Sequence, residues 1–191
     1  MRRVAITGMG MVSTFGSDKE KVRESFRKGK SGIRLIQGWD TSAFKVKIGG
    51  EVTDFDPALY MDAKEARRYD PYSQYAVACS KMAIEDAGFR EDELDHERSG
   101  VIIGTGIGGL NVFCRDHERL ITQGPDRVSP FYIPHSITNM AAGLVAIHNN
   151  LKGVNHAVVS ACASANNAMG IAFKYIQLGM AQMIIAGGSE A

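Results

Sequence analysis

Cysteine is scarce in this sequence: three among 191 residues, at positions 79, 114 and 162, with no CxxC pair. An odd, scattered set excludes a disulfide framework, and thiols without neighbouring ligands do not build a structural zinc site. They read as free thiols in a reducing compartment, with the cytoplasm as the expected location. An excess of one charge is lacking too. Lys and Arg number 22 against 21 Asp and Glu, a net charge of +1, so nothing marks nucleic acid or an anionic membrane as a partner. No apolar run reaches the length that spans a bilayer. The opening MRRVAITGMGMVSTFG is broken by glycines at 8, 10 and 16 before a signal-peptide core can form. Low-complexity tracts and short internal repeats are also missing. The remainder is ordinary globular composition, 45% hydrophobic and 23% charged, in a chain long enough for one domain with a core.

The order of patterns is that of alternating strands and helices. RRVAITGMG reads as a short strand ended by glycines, and Ser17 or Asp18 can cap a helix running KEKVRESFRKG to Gly29. Residues 31–63 are irregular, with short strands and loops. A helix fits YDPYSQYAVACSKMAIEDAG, with Pro71 near its start and Gly88 just past its end. Its small face (Ala76, Cys79, Ser80, Ala83, Ala87) predicts a buried filler role for Cys79. GVIIG is the next strand. The helix after it places Leu110, Phe113, Cys114, His117, Leu120 and Ile121 on one stripe, expected to pack in the core. Cys114 and His117, three apart, are too few ligands for a metal site. A small-residue helix in SITNMAAGLVAIHNNLKG, strand NHAVVSA, helix SANNAMGIAFKYIQLG and strand AQMIIAGGSEA complete the series. Such alternation implies crossover units and an α/β fold with a mostly parallel sheet.

Two places carry candidate chemistry. The first is Gly104-x-Gly106-x-x-Gly109, which matches a dinucleotide-binding fingerprint. It lacks the acidic residue ending the next strand, because the position about twenty residues on falls in the loop GPDRVSP. The second is Cys162. From Val154 to Phe173 there is no Asp, Glu, Lys or Arg, so the helix that follows Cys162 is expected to be buried on all sides. A thiol where a strand becomes a helix sits near unpaired N–H groups of the first turn, which favour a thiolate and can stabilise an oxyanion. That is the strand–turn–helix logic of an acyl-transfer nucleophile. By local pattern alone, a lone cysteine in an apolar segment is more often a small filler than a nucleophile. His156 cannot serve it as a base, since six strand residues span about 20 Å.

With these blocks in order (RRVAITGMGMVSTFG, SGVIIGTGIGG, VSPFYIPHSITNMAAG, SACASANNAMG and MIIAGGSEA), the whole chain resembles the β-ketoacyl-acyl-carrier-protein synthases. It is most similar to their type II elongating branch, the thiolase-like condensing enzymes of fatty-acid synthesis. The resemblance implies an acyltransferase. An acyl chain would pass from the phosphopantetheine thiol of acyl carrier protein to Cys162, the nucleophile. Malonyl-acyl-carrier protein would then lose carbon dioxide and attack the thioester in a Claisen condensation. It implies that the Cys162 N–H is one of two oxyanion donors, that Ile107 lines the acyl pocket, and that Phe131 reaches toward the partner subunit's pocket in a homodimer. The alternative for Ile107 and Phe131 is a plain core role. No resident cofactor or metal is implied, because phosphopantetheine arrives on the carrier protein.

Some features depart from the family pattern. Cys162-Ala163-Ser164-Ala165 stands where Cys-x-Ser/Thr-Gly is common, and Asn167 where a histidine often follows. His-Gly-Thr-x-Thr and Asn-x-x-Gly-Phe-Gly-Gly, which in the family accompany the remaining catalytic groups, do not occur in these residues. Residues 1–191 are therefore expected to form the N-terminal domain, a three-layer α/β/α half of a five-layer αβαβα fold with a mostly parallel mixed sheet. This half alone is expected to give no condensation. Other thiolase-fold acyltransferases (a polyketide ketosynthase or a thiolase) and a non-catalytic acyl-binding half are the alternatives.

Overall fold

The computed structural model describes residues 2–191 and, at Glu91, the backbone only. The chain forms two compact units, residues 10–56 and a larger one built from residues 2–9 and 57–191. In the smaller unit, helix α1 (Lys19–Arg27) starts at Asp18, whose carboxylate accepts the Lys21 N–H at 2.7 Å. A two-residue antiparallel pair, β1 (Arg34–Leu35) with β2 (Ile48–Gly49), follows. The Glu51 carboxylate accepts the N–H groups of Gln37 and Gly38, closing the loop beside that pair.

The larger unit is layered. Its elements are α2 (Ala63–Ala66), α3 (Pro71–Ala87), β3 (Ser99–Gly104), α4 (Leu110–Gln123), α5 (Tyr132–Ser136), α6 (Met140–His148), β4 (Asn155–Val158), α7 (Ser164–Gln177) and β5 (Met183–Gly188). The sheet order is β4-β3-β5, every pairing parallel. All six residues of β3 are buried, as a central strand covered on both faces requires. Alternation divides its side chains between two cores. Val101 and Ile103 meet Tyr72, Ala76 and Val77 of α3 and Ala141, Leu144 and Val145 of α6. Ile102 meets Ala168 and Ala172 of α7 on the other face. The chain thus steps from β3 to β4 with α6 on one side and returns from β4 to β5 with α7 on the other, as the right-handed crossover rule demands.

Both predicted ends of α3 hold. Asp70 caps it by accepting the Tyr72 N–H at 3.2 Å, Pro71 takes the first turn, and Gly88 closes it at φ 70° in the left-handed region. Asp70 does more than the sequence disclosed. It is fully buried, and its second oxygen accepts the Val112 N–H of α4 at 2.8 Å, so one carboxylate starts two helices.

Four expectations are corrected. Residues 2–9 form no strand. A strand exists through its ladder, and this segment lies instead along α3, with Gly8 tight against Ala87 and the Met9 N–H donating to Asp86 at 2.9 Å. Cys79 is half-buried, because the buried face of α3 is rotated toward Tyr72, Ser73, Ala76, Val77 and Ser80. The stripe on α4 faces outward: Leu110, Phe113, Cys114, His117, Leu120 and Ile121 are exposed, and Val112 and Asp116 point inward. Asp116 earns that place with polar partners, accepting the Ser129 N–H at 3.1 Å and an Arg119 N–H at 3.2 Å. Finally, β4 is an edge strand with Asn155 and His156 exposed, and α7 buries one face only. Absence of charge did not require burial: Asn166, Asn167 and Gly170 stand exposed on its outer face, together with Met169 and Phe173.

Asp70→Ala should destabilise the protein by about 2–4 kcal/mol in urea unfolding, since a cap and a buried acceptor are lost together. Loss of the exposed cap of α2 in Asp62→Ala should cost about 1 kcal/mol or less. His148, at the end of α6, is held below its usual pKa of 6.5 chiefly by burial, with Lys81 adding and Glu65 opposing. Its neutral form is therefore favoured by folding, so its contribution is complete above 6.5 and is lost as pH falls toward the lowered value. Between about pH 7 and about pH 5, His148→Asn should show a shallower loss of unfolding free energy than the wild-type chain.

Candidate active site

The C-terminal ends of the three parallel strands converge, and the loops that leave them build the site. From β3 comes the loop Thr105–Gly109, from β4 the turn Val159–Ala163, and from β5 the pair Ser189–Glu190. Thr105 is buried, its hydroxyl donating to Glu190 Oε1 at 3.1 Å and accepting the Gly108 N–H at 3.1 Å. The Gly106 N–H donates to the other Glu190 oxygen. The Ser189 N–H donates to the Gly104 carbonyl at 2.9 Å, continuing the β3–β5 ladder one step past the strands.

Cys162 lies in the β4–α7 turn, two residues before the helix starts, and its side chain is exposed. The residue before it, Ala161, has φ 51°, one of two non-glycine residues in the left-handed region among those described. For an L-residue with a Cβ this conformation costs about 1–2 kcal/mol. The turn is fastened on both sides of the thiol. The Ala163 N–H donates to the Ser160 carbonyl at 3.1 Å, and the Ser164 N–H to the Ala161 carbonyl at 3.0 Å. The buried Ser164 hydroxyl accepts the Ser160 N–H at 2.8 Å and lies 2.7 Å from the Ala161 carbonyl and 3.2 Å from the Thr105 carbonyl. Asn167 donates from Nδ2 to the Ser160 hydroxyl at 2.6 Å.

Close approach of backbone makes this geometry possible. A Cβ on Gly104 would run into the carbonyl group of Ser164, and one on Gly188 would lie 2.6 Å from the Ala165 Cβ. The first turn of α7 therefore rests directly on β3 and β5. Beyond Cys162, an open groove runs between Val158–Ser160 and the outer face of α7 at Asn166, Asn167, Gly170, Ile171 and Lys174.

The other sequence candidates divide. Ile107 is 60% exposed at the tip of the β3 loop, next to the Cys162 turn, since Gly106 lies 3.8 Å from the Ala161 Cα when given a Cβ. Phe131 is 45% exposed and sits apart, against other groups: its ring stacks on His135 at 5.6 Å and carries the Arg68 guanidinium at 5.3 Å. Neither residue belongs to the core. His135 is held below its usual pKa by burial first, then by Arg68 and Arg115. His156 is engaged with the Tyr175 hydroxyl at 3.0 Å. Cys114 and His117 are exposed, and no cluster of three or more His, Cys, Asp or Glu suited to a metal occurs among the described residues. The glycine-rich loop after β3 is occupied by contacts of its own, the Gly109 N–H donating to the Ser136 carbonyl at 2.9 Å. Sequence reasoning missed Thr105, Ser164 and Glu190. Only a serine at the first position of a helix, in the first-turn region where serines cap, offered a signal.

Comparison with known proteins agrees along the whole chain. The family model for the β-ketoacyl synthase N-terminal domain matches residues 1–191. The chain is 43% identical over 193 residues to 3-oxoacyl-[acyl-carrier-protein] synthase I, chloroplastic, of Arabidopsis thaliana, covering 100% of this chain and 41% of that one. It is 44% identical over 190 residues to 3-oxoacyl-[acyl-carrier-protein] synthase 2 of Staphylococcus aureus, covering 100% and 46%. Among solved structures, the ishigamide ketosynthase/chain length factor superposes with a TM-score of 0.92 at 29% identity, over 100% of this chain and 48% of that one. The chain thus spans less than half the length of each of these relatives.

The backbone contact under α7 is testable. Gly104→Ala should destabilise the protein by about 1–3 kcal/mol in urea unfolding, as overpacking does. Gly187→Ala, where an added Cβ meets nothing within 4 Å, should leave stability unchanged or slightly raised.

Proposed function

The chain belongs to the β-ketoacyl synthase family, in its N-terminal domain, and on that premise we propose that it carries the nucleophile of a condensing acyltransferase, Cys162. Its fold is the thiolase-like α/β arrangement of the ketosynthases. In this reading the Cys162 thiolate attacks the thioester carbonyl of an acyl chain held on the phosphopantetheine arm of acyl carrier protein. The new Cys162–acyl bond forms as the carbon–sulfur bond to the arm breaks, and the carrier leaves with a free thiol. Malonyl-acyl-carrier protein then loses carbon dioxide, and the electron pair released forms the carbon–carbon bond at the acyl carbonyl, expelling Cys162. The Cys162 N–H serves as one oxyanion donor. Ile107, on the loop that follows β3, borders the acyl chain, and Phe131 contacts a second subunit. The acid–base groups of the decarboxylation lie outside these residues, and residues 1–191 act as the N-terminal half of the enzyme.

One observation carries the reading. Of the three cysteines, Cys162 alone is presented on a left-handed turn at the converging strand ends, where a large acyl donor can approach it. The exposed, unpaired edge of β4 supports a homodimer built strand to strand. The names of the relatives supply fatty-acid synthesis and the carrier protein as partner. The arm is delivered by the carrier, so the scheme requires no resident cofactor or metal. No helix among the described residues is long and apolar enough to cross a membrane. Free thiols are in keeping with a reducing, cytoplasmic setting.

Incubation with acyl-[acyl-carrier protein], followed by peptide mass spectrometry, tests the assignment. An acyl adduct on Cys162, abolished in Cys162→Ala, is expected. Acylation of Cys79 or Cys114 in place of Cys162 would overturn it.

A further inference from the structure

The Ser164 hydroxyl has no part in the scheme above, yet it sits where three backbone segments meet. It has one proton and two lone pairs. The Ser160 N–H fills an acceptor position at 2.8 Å, and the proton is shared between the carbonyls of Ala161 at 2.7 Å and Thr105 at 3.2 Å. Ser164 is 3% exposed, so water cannot substitute for these bonds. Two of the three partners bracket the strained residue: Ser160 lies before Ala161, and the Ala161 carbonyl is the group that points toward Cys162 along the chain. The third fastens the same turn to the end of β3. A backbone at φ 51° on alanine persists only where its surroundings hold it.

We propose that Ser164 is a positioning residue: its hydroxyl holds the left-handed turn at Ala161, and through it the direction in which the Cys162 thiol faces. This rests on the reading of Cys162 as a nucleophile, but its test can be separated from that reading. A misplacement of about 1 Å at a reacting atom can cost up to a hundredfold in rate.

The experiment uses the full chain with Ser164→Ala, Ser164→Thr and Ser164→Ala/Ala161→Gly, measuring acylation of Cys162 by acyl-[acyl-carrier protein] and its alkylation by iodoacetamide. The exposed Cys114, on another helix, is the internal standard. Ser164→Ala is expected to slow both reactions of Cys162 roughly tenfold relative to Cys114, and Ser164→Thr, which keeps the hydroxyl, to restore them. Glycine adopts the left-handed region freely, so adding Ala161→Gly should recover much of any lost thermal stability without recovering the rate. Equal Cys162 rates in wild type and Ser164→Ala, or rates that return together with the melting temperature in the double variant, would overturn the proposal. If the wild-type chain takes no acyl group, the nucleophile reading fails, and the alkylation ratio still decides the role of Ser164.

Discussion

At Gly104 and Gly188 the first turn of α7 comes so close to the sheet that no side chain fits between them. Much of the site's geometry depends on that contact. Because the helix starts against bare backbone, the chain leaving β4 has only the residues 159–163 in which to rise from the strand and enter the helix. So short a passage forces Ala161 into a left-handed conformation and places Cys162 outside the sheet end instead of within the core.

The contact is kept by polar fastening as much as by apolar burial. The second core has only Ile102, Ala168 and Ala172 buried, with Val158, Ile171, Tyr175, Ile184 and Ala186 packed against them. It fixes the distance of helix from sheet but discriminates poorly between registers along the helix axis. The directional bonds supply that discrimination: Ser164 to the Thr105 carbonyl, Glu190 to Thr105 and Gly106, Ser189 to the Gly104 carbonyl. On the opposite face, Asp70 orients α3 and α4 together through two backbone donors. Buried hydrogen bonds of this kind add modestly to stability and strongly to the uniqueness of an arrangement, because leaving any one unmade is costly.

This division explains what was legible in the sequence. Element type and order were readable, since a cap at Ser17 or Asp18, the proline–glycine asymmetry of α3 and the strand–helix alternation are local signals. Strand 2–9 was misread because an apolar run with flanking glycines states a preference, whereas a strand also needs a neighbour. The orientation of α4 and α7 failed for a different reason. A stripe of Leu, Phe and Ile shows that a helix is two-faced, but the buried residues of α4 are Val112 and Asp116, and the Asp116 carboxylate accepts the Ser129 N–H and an Arg119 N–H. Cys162 was marked by its position between strand and helix, and by the resemblance. Ser164 and Glu190 act through tertiary hydrogen bonds to residues far along the chain, and no periodicity announces those.

The same reasoning bears on why three elements so distant in sequence form one site. In a parallel sheet every strand ends on the same side, so β3, β4 and β5 deliver their following residues to a common edge whatever lies between them. The edge gathers the glycine-rich loop after β3, the start of α7 and the residues that follow β5 without any of them needing a local motif. A thiol at the end of β4 inherits those neighbours. Moved two residues back, to Ser160, it would lie against Ser164 and Asn167 with its backbone committed to the turn; moved two residues on, to Ser164, it would be buried. Within this turn, position 162 combines an exposed side chain with a backbone fixed on both sides.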